Sequence, residues 1–189
     1  MDNTKTKYCK KTCIVGLLLL VAFLLLTSTI AHRYGPYYGR VIDANTKKPI
    51  EGAAVLVSYS TEMASVGGPV EYYADAIEVV TDNNGEFRVP ANWIIKFRPI
   101  SWWDKNPSFT IFKPGYGCFP WHKAIEKEYH PGWSLPPDKY VTVELPSVIN
   151  ESRENRLNNA TCVPSSSVPQ HKHRKLRELL DVEMDSLYK

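Results

Sequence analysis

Residues 79–89, Val-Val-Thr-Asp-Asn-Asn-Gly-Glu-Phe-Arg-Val, carry the tightest local constraint in the chain, because two β-prone runs meet there at Asn84-Gly85. Asn-Gly tolerates the positive φ that a short chain reversal demands, so the pattern predicts a tight hairpin joining residues 71–81 to residues 86–90. Alternation through the second run directs Phe87 and Val89 inward. The rest of the middle of the chain reads as strands added on either side of this hairpin.

Residues 37–43 form an expected first strand, ended by a polar turn at residues 45–50. Residues 53–60 form a second, in which Ala53, Val55, Val57 and Tyr59 share a face. Gly67-Gly68-Pro69 breaks the chain before residues 71–81. Residues 109–119 contain a fifth strand, a Pro-Gly turn and the start of a sixth. Residues 140–145 alternate so that Val141, Val143 and Leu145 face in, while Thr142 and Glu144 face water. Seven short strands, polar turns and no long helix between them predict an all-β fold, a seven-stranded antiparallel β-sandwich spanning residues 37–147.

The 43% hydrophobic content is ordinary for a globular chain of 189 residues, but part of it is concentrated in the unbroken apolar block of residues 14–26. The net charge of +3 is equally local: Lys5, Lys7, Lys10 and Lys11 against Asp2 supply all of it. No basic face for nucleic acid is left over. Basic residues 1–13 before an apolar stretch give the polarity of an export helix with its positive end inside. Small residues around Thr29-Ile30-Ala31 would suit a signal peptidase. Counted through residue 31, however, the stretch reaches about 18 residues, near the length that spans a bilayer. The reading adopted is an uncleaved anchor at residues 14–31, with secretion after cleavage as the alternative. Either way residues 32 onward lie on the periplasmic or extracellular side, and a short Gly-Pro spacer precedes the sandwich.

Four cysteines divide about this block. Cys9 and Cys13 precede it, whereas Cys118 and Cys162 would share an oxidising compartment and are candidates for a disulfide between domain and tail. Residues 148–170 read as a linker rich in Asn, Ser and Pro. Residues 171–189 form an expected short amphipathic helix with Leu176, Leu179, Leu180, Met184 and Leu187 on one stripe. Its basic residues come first and its acidic ones last, opposing the helix dipole, so docking onto the sandwich or a partner is expected to stabilise it.

Four ordered motifs then carry a resemblance: Gly39-x-Val41-x-Asp43; Pro49-Ile50-x-Gly52-Ala53-x-Val55; Thr81-Asp82-x-x-Gly85-x-Phe87; and Lys113-Pro114-Gly115-Tyr116. Over about residues 37–145 the chain resembles the carboxypeptidase regulatory-like family, whose fold is a prealbumin-like β-sandwich. The resemblance implies a non-catalytic module that accompanies peptidases, receptors and surface proteins as a folding or interaction unit.

Two insertions depart from that pattern, residues 92–104 and residues 122–137. All five tryptophans, Trp93, Trp102, Trp103, Trp121 and Trp133, lie in or beside them, making them the candidate binding residues. Four readings stay open here. Trp102, Trp103, Trp121 and Trp133 suit a sugar-stacking platform. Trp93, Ile94, Ile95 and Phe97 with Lys96 and Arg98 suit a membrane interface. The aromatic residues also suit a protein partner, or they fold back and cap an open end of the sandwich.

Neither metal nor catalytic chemistry is indicated. His171-x-His173 and the pair His122 and His130 lack the companions that define a zinc site. Asp82-Asn83-Asn84-Gly85 lacks the continuation of a calcium loop. The spacing of His122 and Glu126 is wrong for a metallopeptidase, and no Gly-x-Ser-x-Gly elbow is present. The Tyr-Arg-Gly-Ser ending of hydroxyisourate hydrolases, which share the prealbumin-like fold, is replaced by Ser186-Leu187-Tyr188-Lys189. Residues 37–43 hold no lysine and residues 140–145 no asparagine for an isopeptide crosslink. Asn150 and Asn159 head glycosylation sequons by form. The expectation is a cell-envelope binding or scaffolding module without a cofactor, held in the membrane through residues 14–31 and meeting an unidentified protein or glycan. The rival is an unrecognised hydrolase or hydrolase accessory.

Overall fold

The computed structural model describes residues 14–18, 30–98, 100–122, 134–159, 162 and 167–188. Nine strands lie among them: β1 (Ala31–Tyr34), β2 (Tyr37–Asp43), β3 (Ala54–Met63), β4 (Val70–Val80), β5 (Glu86–Val89), β6 (Asn92–Ile95), β7 (Ser101–Trp103), β8 (Ser108–Phe112) and β9 (Tyr140–Leu145). One sheet runs β5-β2-β9. A second runs β4-β3-β7, with β8 also paired to β3, and β1 with β6 makes a two-stranded ribbon. Val41, Phe87, Val89, Val141, Val143 and Leu145 of the first sheet share one core with Val55, Val57, Tyr59, Phe109 and Ile111 of the second. This is the facing of two inner surfaces expected of a β-sandwich.

Several expectations are corrected in detail. The strand count rises from seven to nine among the described residues, because the first insertion supplies β6 and β7, and β1 begins at Ala31. No Gly-Pro spacer separates the apolar segment from the folded part. Ala31 already pairs with Ile95, and the Lys96 amide donates to the Ile30 carbonyl at 2.8 Å. The sheets are not wholly antiparallel either, since β9 runs parallel to β2 from Tyr38↔Tyr140 to Asp43↔Leu145. Six strands separate β2 from β9 in the chain, so no tight turn, which would force an antiparallel pair, has to join them. The expected sixth strand shrinks to a bridge, with Ile111 and Phe119 exchanging backbone hydrogen bonds at 3.1 and 2.9 Å. Pro120, which follows, has no amide to continue the ladder.

The opening motif also resolves differently. Asn84-Gly85 is a corner between sheets, not a two-stranded hairpin. β4 pairs with β3, whereas β5 pairs with β2 in the register Gly39↔Phe87. Crossing over lets Ile77 and Val79 on one sheet and Phe87 and Val89 on the other meet in the same core. The Asp82 carboxylate fixes the corner by accepting from the Asn84 and Glu86 amides at 2.9 and 2.8 Å. Gly85 has φ 72°, and a Cβ there would strike the Val41 carbonyl oxygen.

A third layer covers the outer face of β3. The stretch expected to be a linker contains a helix, α1 (Arg153–Asn159), and a longer helix, α2 (Arg174–Tyr188), ends the described chain. Leu176 and Leu179 of α2, with Val168, pack on Ala54, Leu56, Ala76 and Phe112. Strand β3 is therefore buried on both faces, in keeping with its nearly continuous apolar start. The unfavourable charge order of α2 is answered by the sheet: Glu78 accepts from the Lys175 and Leu176 amides at 2.9 and 2.7 Å. A carboxylate from β4 thus sits on the positive end of the helix. Residues 1–13 and 19–29, hence most of the expected anchor, lie outside the described residues. Among the described residues no helix is long and apolar enough to cross a membrane.

Candidate interaction surface

The motif residues serve the scaffold. Gly39 lets β2 and β9 approach, since a Cβ would run into the Val141 carbonyl. Asp43 accepts from the Asn45 and Thr46 amides at 2.8 and 2.7 Å, and these bonds hold its carboxyl below the usual range. The buried Thr81 hydroxyl accepts from the Ala53 amide at 2.8 Å and donates to the Ile50 carbonyl at 2.7 Å, while its own carbonyl takes the Gly52 amide at 3.0 Å. In the Lys113-Pro114-Gly115-Tyr116 turn, the Tyr116 amide donates to the Lys113 carbonyl at 3.1 Å and the Tyr116 ring packs against the core.

The same turn anchors the tail. The Gly115 amide donates to the Glu183 carboxylate at 2.9 Å, and the Arg156 guanidinium reaches the other oxygen at 2.7 and 3.1 Å. Glu183 is buried, so this pairing satisfies a charge that would otherwise be costly. Its place, seven residues after Leu176 and four after Leu179, sets it on the buried stripe, a signal visible in the helical spacing alone. Cys118 and Cys162 are bonded, their Cα atoms 5.9 Å apart, and join this layer.

The first insertion divides its side chains by strand alternation. Trp103 is 7% exposed, stacks on His32 with ring centres 5.8 Å apart, and meets Tyr34 edge-on at 6.2 Å. Ile94 is buried in the same core, so half of the insertion does cap the sandwich. Burial first, and Lys105 second, push the His32 imidazole below its ordinary range. The other half points outward: Trp93 is 65%, Ile95 70%, Phe97 77% and Ile100 87% exposed. Ile100 is a β-branched residue at φ 65°, a backbone conformation such residues rarely adopt. Nothing in the sequence singled it out.

Neighbouring contacts fix where this edge lies. Arg98 donates to the Thr61 hydroxyl at 2.6 Å and covers the Tyr72 ring at 4.6 Å, tying the 96–100 segment to the end of β3 and the start of β4. The exposed Trp102 pairs in register with Glu62 and donates its indole N–H to that carboxylate at 2.9 Å. Trp121 is also exposed, and Trp133 lies outside the described residues. Because Trp103 is turned inward, a sugar platform built from Trp102 and Trp103 together is not assembled.

The outward edge offers apolar side chains with the exposed Arg33 and Lys96 beside them. Exposed apolar side chains of this kind are suited to contact with another surface. Elsewhere, His122 is buried, with its Nε2 3.6 Å from the Glu151 carboxylate. Among the described residues no group of three or more His, Cys, Asp or Glu is placed to hold a metal ion. No family model, curated protein or solved structure matches the chain.

Proposed function

We propose that the chain is a membrane-held, non-catalytic β-sandwich module of the carboxypeptidase regulatory-like, prealbumin-like kind, serving as a binding or scaffolding unit on the outer side of the cytoplasmic membrane. One observation carries the binding reading. The motif residues are committed to turns, sheet approach and core, while large apolar side chains of the first insertion are left in solvent. Exposed apolar groups gathered at one place are the usual mark of a contact surface. The tether rests on the sequence of residues 14–31, of which the 17 residues before β1 would extend about 26 Å as a helix against a hydrocarbon core of roughly 30 Å.

Two measurements test this. N-terminal sequencing of the mature protein from the membrane fraction is expected to return the intact start, and a chain beginning near His32 would replace the anchor with secretion. Full-length protein offered a panel of peptide and ester substrates is expected to give no turnover. Reproducible hydrolysis lost on His122→Ala would make it an enzyme.

A further inference from the structure

We propose that the outward edge formed by Trp93, Ile95, Phe97 and Ile100 rests in the headgroup layer of the bilayer that holds residues 14–31, so that the sandwich is seated on the membrane in one orientation. This rests on the tether reading above and adds to it a specific occupant for the exposed edge.

Three observations lead there. The first is continuity: Ile30 is tied to Lys96 by a backbone hydrogen bond and Ala31 is already a strand residue paired with Ile95. In the sequence only Thr27, Ser28 and Thr29 stand between the unbroken apolar block and Ile30, a short lead for a tethered domain. The edge therefore starts close after the apolar block. The second is direction. In the ribbon, Ala31, Arg33, Trp93 and Ile95 share a face by register and alternation, while Tyr34 and Ile94 on the other face are buried in the core. The face that carries Trp93 and Ile95 is therefore the one turned away from the core.

The third is chemistry and scale. Trp93 lies two residues from Ile95, about 7 Å along a strand. The interfacial layer on each side of the hydrocarbon is roughly 5–8 Å thick. The spacing of Trp93 and Ile95 is thus of the same scale as that layer. Tryptophan with flanking basic residues, here Arg33 opposite Trp93 and Lys96 beside Ile95, is the composition that settles at such a boundary. Ile100, in a backbone conformation disfavoured for a β-branched residue, likewise leaves its side chain in solvent.

The test uses the full chain in phosphatidylcholine vesicles containing phosphatidylglycerol, with Cys9 and Cys13 replaced by Ser and the Cys118–Cys162 bond left intact. An environment-sensitive fluorophore is placed by Ile95→Cys, Phe97→Cys or, as a control on the exposed side of α2, Val182→Cys. Circular dichroism first establishes that each variant is folded. The expected result is a blue-shifted emission at positions 95 and 97, quenched several-fold more than position 182 by lipids bearing a shallow nitroxide, and protected from aqueous iodide. Iodide quenching at positions 95 and 97 equal to that at 182, in chains that float with the vesicles, overturns the seating and leaves the tether intact. Shielding from iodide without nitroxide quenching also overturns it and assigns the edge to a protein contact. Chains that fail to float with the vesicles refute the tether itself, and the seating with it.

Discussion

At the scale of single residues, positions that look alike in sequence differ sharply in consequence. Gly85 and Gly67 are both loop glycines, yet only Gly85 combines a left-handed backbone with a carbonyl in the path of a Cβ. Gly85→Ala is expected to cost about 1–3 kcal/mol, and Gly67→Ala almost nothing, as read from paired urea midpoints. The buried tyrosines set the alkaline limit. Burial is the main cause that pushes Tyr37 up to about 12 from 10.0, and Tyr34 and Tyr59 are raised further by burial and neighbouring acidic groups. A folded pKa above the unfolded one means that the folded chain holds the proton longer. Stability is then full below pH 10 and falls as the pH climbs from there towards and beyond 12. Urea midpoints measured across that range are expected to decline, with a shallower slope in Tyr37→Phe.

At the scale of elements, the tail is held by a small number of polar contacts laid over an apolar seam. Glu78 and Glu183 bracket α2: one satisfies its first amides, and the other joins it to α1 and to the turn at Gly115. Glu183→Ala leaves the Arg156 guanidinium and the Gly115 amide without that acceptor. The expected loss is about 3 kcal/mol, towards the lower end for a buried pair because Arg156 keeps some contact with water. Amide hydrogen exchange gives the sharper reading, since exchange through residues 174–188 is expected to accelerate well before that of β2 and β3. The insertion shows a related economy. Strand alternation sends Ile94 and Trp103 inward as a cap and leaves Trp93 and Ile95 outward, so one short stretch both closes the core and provides a surface.

At the scale of the whole molecule, the disulfide joins the start of the connection after β8 to the tail across 44 residues. In the chain-entropy picture, closing a loop of that length in the unfolded state is worth about 4 kcal/mol. Replacing both Cys118 and Cys162 by Ser is expected to lower the thermal midpoint clearly and to open the segment before α2 to limited proteolysis. The strands were largely legible in the sequence because alternation and turn residues are local properties: Phe87, Val89, Val141, Val143 and Leu145 face the core as their period requires. Partnership was not local. Asn84-Gly85 specified a reversal, but whether β5 joined β4 or β2 depended on which ladder was open and on Phe87 reaching the space between sheets. The tryptophans marked the insertions in the same way, without revealing that Trp103 would be buried beside an exposed Trp102. By itself, then, the sequence determined where the chain is extended, where it turns and which faces are apolar, since these follow from each residue's own stereochemistry and solvation. Only the tertiary structure decided which strands pair, that the tail supplies a third layer, and that Ile30 and Ala31 are joined to the exposed edge at Ile95 and Lys96, because these depend on contacts between residues far apart in the chain.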